Sequence, residues 1–130
     1  MKKLNFFFTA LLAVILLTRV GFAQDATKVD PKHYKVEFEN DDVRVLRITY
    51  GPGEKSVMHS HPEGVVVFLS DGNSKFTFPD GTTQDTKVKA GQVIWTSEST
   101  HQPENTGDKS FEVIQVEMKT KSNTQESISK

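Results

Sequence analysis

The sequence predicts an all-β domain, a sandwich or a barrel of antiparallel strands. Short runs rich in Val, Ile, Phe, Tyr and Thr follow one another along the chain, and turn-forming residues separate them at close spacing. Beyond residue 23, no segment repeats its apolar residues with the 3.6-residue period of an amphipathic helix. Seven or eight short strands without helices are typical of two packed sheets or of a closed barrel.

The first 23 residues differ in composition from the rest of the chain. Two lysines precede an apolar run over residues 6–17, and Gly21-Phe22-Ala23 supplies the small residues of a cleavage site. The alternative is a retained anchor helix, but the apolar run is short for a bilayer and Arg19 lies at its far end. We therefore predict a signal peptide over residues 1–23. The mature protein is expected to be periplasmic or secreted, with no membrane association after cleavage.

Two polar segments flank the predicted domain, which is assigned to residues 33–118. Residues 24–32 are expected to form a flexible N-terminal arm, and residues 119–130 a disordered C-terminal tail. The uninterrupted apolar run at 64–69 predicts a strand that is buried on both faces. In chain order, the predicted strands are 34–39, 43–50, 64–69, 75–78, 82–88, 93–96 and 111–118.

Charge and cysteine content exclude several classes of protein. Without the three basic residues of the signal peptide, 13 of the 16 Lys and Arg residues remain against 17 acidic ones, a formal charge of −4. A nucleic-acid partner is not expected, because phosphate binding needs a basic face. The chain has no cysteine, so it has no disulfide framework despite its expected export. Its stability must come from an apolar core, with help from a metal or a partner subunit.

Three of the four histidines are placed to converge on one site. His59 and His61 are two residues apart, so their rings project from the same face of an extended strand. His101 lies 40 residues beyond His61, in a segment that again follows a glycine. A third imidazole from another strand would complete a facial set of metal ligands and leave coordination positions open. The pattern therefore predicts a metal site at these three histidines.

Two stretches of the chain resemble the two motifs of the cupin superfamily. The first motif, G-x5-H-x-H-x(3,4)-E-x6-G, is similar to the arrangement of Gly53, His59, His61 and Gly72, and the second, G-x5-P-x-G-x2-H-x3-N, to that of Gly91, His101 and Asn105. The resemblance implies a single-domain cupin with a jelly-roll barrel, the double-stranded β-helix. It also implies that the three histidines bind a metal and that Asn105 stabilises a turn near the site.

The sequence departs from the cupin pattern at the fourth ligand. In the family the glutamate of the first motif binds the metal, whereas the matching positions here are Val65 and Val66. Three alternatives remain open. A three-histidine site could bind Fe(II), as in some cupin-type dioxygenases. Glu63, two residues beyond His61, could replace the missing carboxylate if the backbone stays extended between them. In the third alternative the metal has been lost, and the histidines line a ligand pocket.

Further residues near the histidines are candidates for the site. Trp95 is close to His101 in sequence and is the best aromatic candidate for lining a pocket. Glu98 and Glu104 flank His101 and are candidates for orienting its ring, since ligand imidazoles normally donate their second N–H to a carboxylate or a carbonyl. Glu63 is also the carboxylate we nominate as a catalytic general base.

The sequence leaves two functional classes open. In the first, a divalent transition metal, with Fe preferred and Mn, Ni, Zn and Cu as alternatives, acts on a small molecule by dioxygenase-like or isomerase-like chemistry. In the second, the barrel is a non-catalytic periplasmic protein that binds a small molecule or a metal. Fold does not choose between these classes, because cupins host both. Cupins often pair through N-terminal strands, so we also expect a homodimer in which a partner covers residues 34–39.

Overall fold

The computed structural model describes residues 24–120, so the predicted signal peptide and most of the predicted tail lie outside it. Within this range the chain forms nine strands and one short helix. They are α1 (Ala26–Val29), β1 (Tyr34–Glu39), β2 (Val43–Tyr50), β3 (His59–His61), β4 (Gly64–Phe68), β5 (Gly72–Thr77), β6 (Thr83–Val88), β7 (Val93–Thr96), β8 (Ser99–Asn105) and β9 (Phe111–Met118). None of the described helices is long and apolar enough to cross a membrane.

The strands form two antiparallel sheets. One sheet has five strands in the order β1-β2-β9-β4-β7, and the other has four in the order β3-β8-β5-β6. The chain crosses repeatedly from one sheet to the other, as in a jelly roll, so the predicted fold class is confirmed. Strands β1, β2, β7 and β9 have the predicted bounds. Strands β3 and β8, which carry the three histidines, were not in the set of predicted strands.

The core lies between the sheets and follows the two-residue period of the strands. On β2 the side chains of Leu46, Ile48 and Tyr50 are buried, and on β9 those of Phe111 and Val113 face them. The side chains between these positions point outward. Because both central strands alternate in this way, one face of the five-stranded sheet is sealed by the second sheet and the other is open.

Strand β4 differs from its prediction, because the structure buries only one of its faces. Val66 points into the core, whereas Val65 and Val67 are half-buried on the outer face. The outer face is apolar because the neighbouring strands also place apolar residues there: Val65 is paired with Val116 on one side and with Trp95 on the other. The apolar run therefore reflects an apolar outer surface as well as a core.

Residues 24–32 also differ from the predicted flexible arm. Asp25 caps α1 by accepting a hydrogen bond from the Thr27 backbone N–H at 2.9 Å, and Ala26 is fully buried in the core. The Gln24 carbonyl accepts a hydrogen bond of 2.8 Å from the backbone N–H of Ser60 in β3. These contacts hold the segment beside the strand that carries two of the histidines. At the other end, the backbone N–H of Lys119 donates to the carbonyl of Asp42 at 2.8 Å.

Gly64 allows the closest approach between two strands of the core. A Cβ added there would lie 1.9 Å from the carbonyl oxygen of Val116, a backbone atom of β9 that cannot move aside. We expect Gly64→Ala to lower the free energy of unfolding by about 3 kcal/mol or more, because the strands must separate to admit the methyl group. Chemical denaturation measures the loss.

Gly51→Ala is the matched control for this substitution. Its added Cβ would meet only the flexible side chain of Glu54, at 3.2 Å. A loss of about 1 kcal/mol or less is expected for it. If Gly64→Ala cost no more than Gly51→Ala, the close packing of β4 on β9 would be disproved.

Candidate metal centre

The structure brings the three predicted histidines together. Strand β3 pairs with β8 so that His59 lies directly opposite His101, and the period of two places His61 on the same face as His59. The ring centroids are 4.8 Å apart for His59 and His61, 5.3 Å for His59 and His101, and 5.5 Å for His61 and His101. One ring nitrogen from each residue lies within 4.8 Å of the others. The three side chains thus form one compact cluster of neutral nitrogen ligands.

Each ring of the first motif is oriented by an acceptor on its Nδ1 side. His59 Nδ1 donates to the carbonyl oxygen of Val57 at 2.8 Å, and His61 Nδ1 donates to Glu117 Oε1 at 2.6 Å. Carbonyl and carboxylate oxygens only accept, so Nδ1 carries the proton in both rings, and in a neutral ring of this tautomer Nε2 has the free lone pair. Ligand imidazoles are commonly held in this way, with the second nitrogen tied to a carbonyl or carboxylate.

The free nitrogen of His59 is the clearest sign of a missing partner. His59 Nε2 is buried and makes no hydrogen bond to any residue from 24 to 120. A buried polar atom without a partner costs about 1–3 kcal/mol, and such atoms are rare in folded proteins. A metal ion held by the three rings would satisfy this nitrogen, so the residues present fit a transition metal.

The electrostatics of the cluster favour neutral rings. Burial, followed by the neighbouring His61, lowers the pKa of His59 to about 4. Burial, followed by His61 and His59, lowers the pKa of His101 to about 3. Both rings are therefore unprotonated at neutral pH, and their lone pairs are available to a metal.

Glu117 is a site residue that the sequence analysis missed. Its side chain is buried, and its two oxygens bind different partners: Oε1 accepts from His61, and Oε2 accepts from Arg44 Nε at 2.6 Å. Arg44 in turn donates through Nη1 to Asp25 Oδ2 at 2.7 Å. A chain of three charged side chains therefore runs from the N-terminal segment to His61. The position of the His61 ring depends on this chain.

A second chain of polar contacts reaches His59 from the same segment. Asp30 Oδ2 accepts hydrogen bonds from the Ser56 hydroxyl and, at 2.7 Å, from His33 Nδ1. The Ser56 hydroxyl also lies 3.3 Å from His59 Nδ1. His33, the fourth histidine, stacks on Tyr50 with a centroid distance of 4.4 Å and does not belong to the metal-ligand cluster. The N-terminal segment thus supports both histidines of β3.

A cavity of about 410 Å³ lies between the sheets, beside the cluster. His61 and His101 form part of its wall, so the histidine cluster adjoins the cavity. The remaining wall is mostly apolar and contains four phenylalanines: Phe68, Phe76, Phe78 and Phe111. Its volume falls in the range of small-molecule sites, which are typically apolar with a few polar groups.

Glu63 does not enter the site. Strand β3 ends at His61, the chain bends at Glu63, and the Glu63 side chain is exposed outside the three-histidine cluster. Its backbone carbonyl accepts a hydrogen bond from the N–H of Met118 at 2.9 Å. The alternating geometry needed to place it beside His61 is lost at the bend. The roles predicted for Glu63, a replacement ligand and a general base, are therefore wrong.

The other predicted site residues have mixed outcomes. Trp95 is 58% exposed on the outer face of β7, away from the cavity, so its predicted pocket role is wrong. Glu98 is exposed and lines the cavity, but it makes no hydrogen bond to His101; the contact at His101 Nδ1 is the Ser99 hydroxyl, at 3.3 Å. Glu104 instead lies 3.8 Å from the ammonium of Lys75.

Asn105 stabilises a turn, as the cupin resemblance implies. It is fully buried, and its amide nitrogen donates to the carbonyls of Gly51 at 2.9 Å and Lys109 at 2.8 Å. Its side-chain oxygen accepts from the backbone N–H of Gly107 at 2.9 Å. These bonds join the end of β2 to the loop that follows β8.

Comparisons with known proteins agree with the fold and the motifs. The family model described as "Cupin domain" matches residues 46–117. A cupin domain from Bordetella pertussis is 25% identical, with a TM-score of 0.62 over 67% of this chain and 92% of that one. An uncharacterised protein with a double-stranded β-helix domain from Klebsiella pneumoniae is 24% identical, with a TM-score of 0.51 over 64% of this chain and 72% of that one.

A cupin superfamily protein from Desulfitobacterium hafniense is 16% identical, with a TM-score of 0.51 over 67% of this chain and 76% of that one, and it supports the fold alone. No curated protein matches the sequence. The match of the family model covers more than half of the chain and includes all three histidines. This chain belongs to the cupin family.

Proposed function

We propose that the protein holds a divalent transition metal at His59, His61 and His101 and binds a small molecule in the adjoining cavity, where dioxygenase-like chemistry takes place. The observation that carries the proposal is the buried, unpartnered Nε2 of His59, which two further imidazoles surround. Iron is the preferred ion, with Mn, Ni, Zn and Cu as alternatives. When bound, the metal supplies Lewis-acid chemistry and, if it is iron, activation of oxygen.

The chain's own residues supply orientation and exclusion of water. The Val57 carbonyl and Glu117 fix two of the imidazoles, so the ligand set is preorganised before an ion binds. Tyr34 packs on His59 with a centroid distance of 4.7 Å and lines the cavity. Burial, followed by the neighbouring Tyr50, raises the pKa of the Tyr34 phenol well above its ordinary value, so it stays protonated. The aromatic walls keep the ligand side of the site apolar.

The positions of the carboxylates argue against isomerase-like chemistry, because that chemistry needs a general base beside the ligand. Glu98 is the one carboxylate among the described cavity-lining residues, and it is exposed. Glu117 is already bound on both oxygens, and Glu63 points elsewhere. A general base must reach the proton it removes. The second candidate function, non-catalytic binding of a small molecule or a metal, needs no general base. The lack of a suitably placed carboxylate among the described cavity-lining residues therefore favours it.

Metal analysis followed by oxygen uptake tests the proposal. The protein is purified without a metal-affinity step, its metal content is measured, and the chelator-treated protein is titrated with Fe(II) under argon. We expect one ion per chain, and oxygen uptake only when a phenol, a diketone or a thiol from a panel is added. A titration that shows no binding would overturn the proposal. Stoichiometric metal without uptake for any compound would leave the binding role in place of the enzyme.

We also propose that the protein forms a homodimer, because a band of apolar side chains crosses the outer face of the five-stranded sheet. Five side chains lie in register across all five strands of this face: Phe38, Val45, Val116, Val65 and Trp95. Phe38 on β1 is 53% exposed and Trp95 on β7 is 58% exposed. Two copies of this face, related by a two-fold axis, would pack apolar surface on apolar surface.

Light scattering at micromolar concentration tests the dimer. The unmodified protein is expected to have twice the mass of the chain, and Trp95→Lys is expected to give monomers, because an unpaired charge buried against apolar side chains is costly. Lys87→Ala, on the other sheet, is the control and should remain dimeric. A monomeric mass for the unmodified protein contradicts the proposal.

A further inference from the structure

Gln115 is a buried polar side chain without a protein partner. It lies on β9 between the inward-facing Val113 and Glu117, and it is 5% exposed. Its amide makes no hydrogen bond to any other part of the described chain, and it faces the cavity. The amide has no partner within the sheet because the residues paired with Gln115, Leu46 on β2 and Val66 on β4, are both apolar. An amide held in this way can donate and accept only toward the cavity.

The rest of the cavity wall limits the chemistry of a ligand. No lysine or arginine is found among the described residues that line the cavity. One carboxylate, that of Glu98, lines it, and this side chain is exposed. In the metal-free protein, a phosphate or a polycarboxylate would therefore be taken out of water without a compensating charge, which is costly. The phenylalanines offer faces and edges on which a flat ring packs well. An apolar cavity of about 150 Å³ binds benzene, so the 410 Å³ here admits a substituted ring.

We propose that the cavity takes an uncharged, largely apolar ring compound that bears a hydrogen-bonding oxygen, and that Gln115 is the residue that recognises this oxygen. This inference rests on the proposed function in one respect only, the contact between the ligand and a metal at the histidines. The amide of Gln115 and the aromatic wall act whether or not a metal is present. A compound with a second oxygen can reach the histidine cluster with that group while Gln115 holds the first. Gln115 is thus a specificity-determining residue.

The test compares p-cresol with toluene, which have the same ring and methyl group and differ by one hydroxyl. Both are titrated into the chelator-treated full-length protein by NMR or calorimetry, with glucose 6-phosphate as a charged polar compound. The unmodified protein is expected to bind p-cresol about tenfold more tightly than toluene, the value of one net hydrogen bond. Glucose 6-phosphate is expected not to bind.

Gln115→Leu removes the amide and keeps the size of the side chain. We expect the variant to bind toluene as the unmodified protein does and to lose the preference for p-cresol. We also expect it to be as stable as the unmodified protein or more stable, because an unpartnered buried amide is replaced by an apolar group. Gln92→Leu, at an exposed position outside the cavity, is the matched control for ligand binding and should keep the preference for p-cresol.

Several outcomes would overturn the inference. Binding of glucose 6-phosphate as tight as that of p-cresol would overturn the ligand class, and so would failure of both ring compounds to bind. An undiminished preference for p-cresol in Gln115→Leu would overturn the role of Gln115. A strongly destabilised Gln115→Leu that binds neither ring would show a packing role instead. These measurements are made without metal. If the protein bound no metal but still preferred p-cresol to toluene, the proposed function would be wrong and this inference would be unaffected.

Discussion

Glu117→Leu is expected to lower the free energy of unfolding by about 3 kcal/mol and to weaken metal binding by about 10-fold to 100-fold. The carboxylate is 1% exposed and is shared between His61 and Arg44. Its loss leaves the guanidinium of Arg44 with Asp25 as its remaining partner and leaves the His61 ring without the acceptor that fixes its orientation. Denaturation and metal titration of the same samples measure the two effects.

Two further variants separate stability from positioning. Glu112→Gln, on the outward face of the same strand, is the matched control; Glu112 is exposed and pairs with Arg47, so its loss should cost less than about 1 kcal/mol. The double variant Arg44→Leu/Glu117→Leu replaces the ion pair by apolar side chains and should regain much of the lost stability. Its metal affinity should stay low, because His61 still lacks its acceptor. If affinity returned together with stability, Glu117 would have no positioning role.

The sequence does contain a pattern that places Glu117 on the inner face of its strand. Strand β9 was predicted with its observed bounds, and its alternation places Phe111, Val113, Gln115 and Glu117 on one face. Two polar residues that continue the apolar face of a core strand are unusual, since buried polar groups need partners. What the sequence does not contain is the identity of those partners. Arg44 meets Glu117 because β2 pairs with β9, and His61 reaches the same carboxylate from β3 in the facing sheet.

The errors at Glu63 and Trp95 have a common physical cause. Both predictions assumed that a short distance along the chain means a short distance in space. The alternation that joins His59 to His61 ends with β3, and the chain bends at Glu63, whose side chain is exposed. On β7 the inward-facing residues are Ile94 and Thr96, which line the cavity, so Trp95 between them must face outward. The three histidines come together as predicted, because their spacing along the chain and the cupin motifs indicated the same residues.

His59→Leu is expected to change stability in opposite directions in the two metal states. In metal-free protein the variant should be more stable by about 1 kcal/mol, because leucine removes a buried nitrogen that has no partner. In metal-loaded protein the order should reverse, since the unmodified chain gains the binding energy of the ion and the variant does not. Thermal unfolding with excess Zn²⁺ and with chelator measures both states. Ser60→Ala, between the two histidines and pointing away from them, is the control.

The pH dependence of metal-free stability gives an independent check on the same residue. The pKa of His59 falls from its ordinary 6.5 to about 4 in the folded chain, because burial and then His61 disfavour the charged ring. Between these values the unfolded chain binds the proton and the folded chain does not, so stability is full above pH 6.5 and falls as the pH drops toward 4. His59→Leu should flatten part of this decline, whereas Ser60→Ala should keep it. A variant that loses stability equally with Zn²⁺ and with chelator, and that declines with acid like the unmodified protein, would mean that His59 only packs the core. The change in stability caused by His59→Leu differs in sign as well as size between a packing residue and a metal ligand. The comparison therefore decides the role of the buried imidazole before any substrate is known.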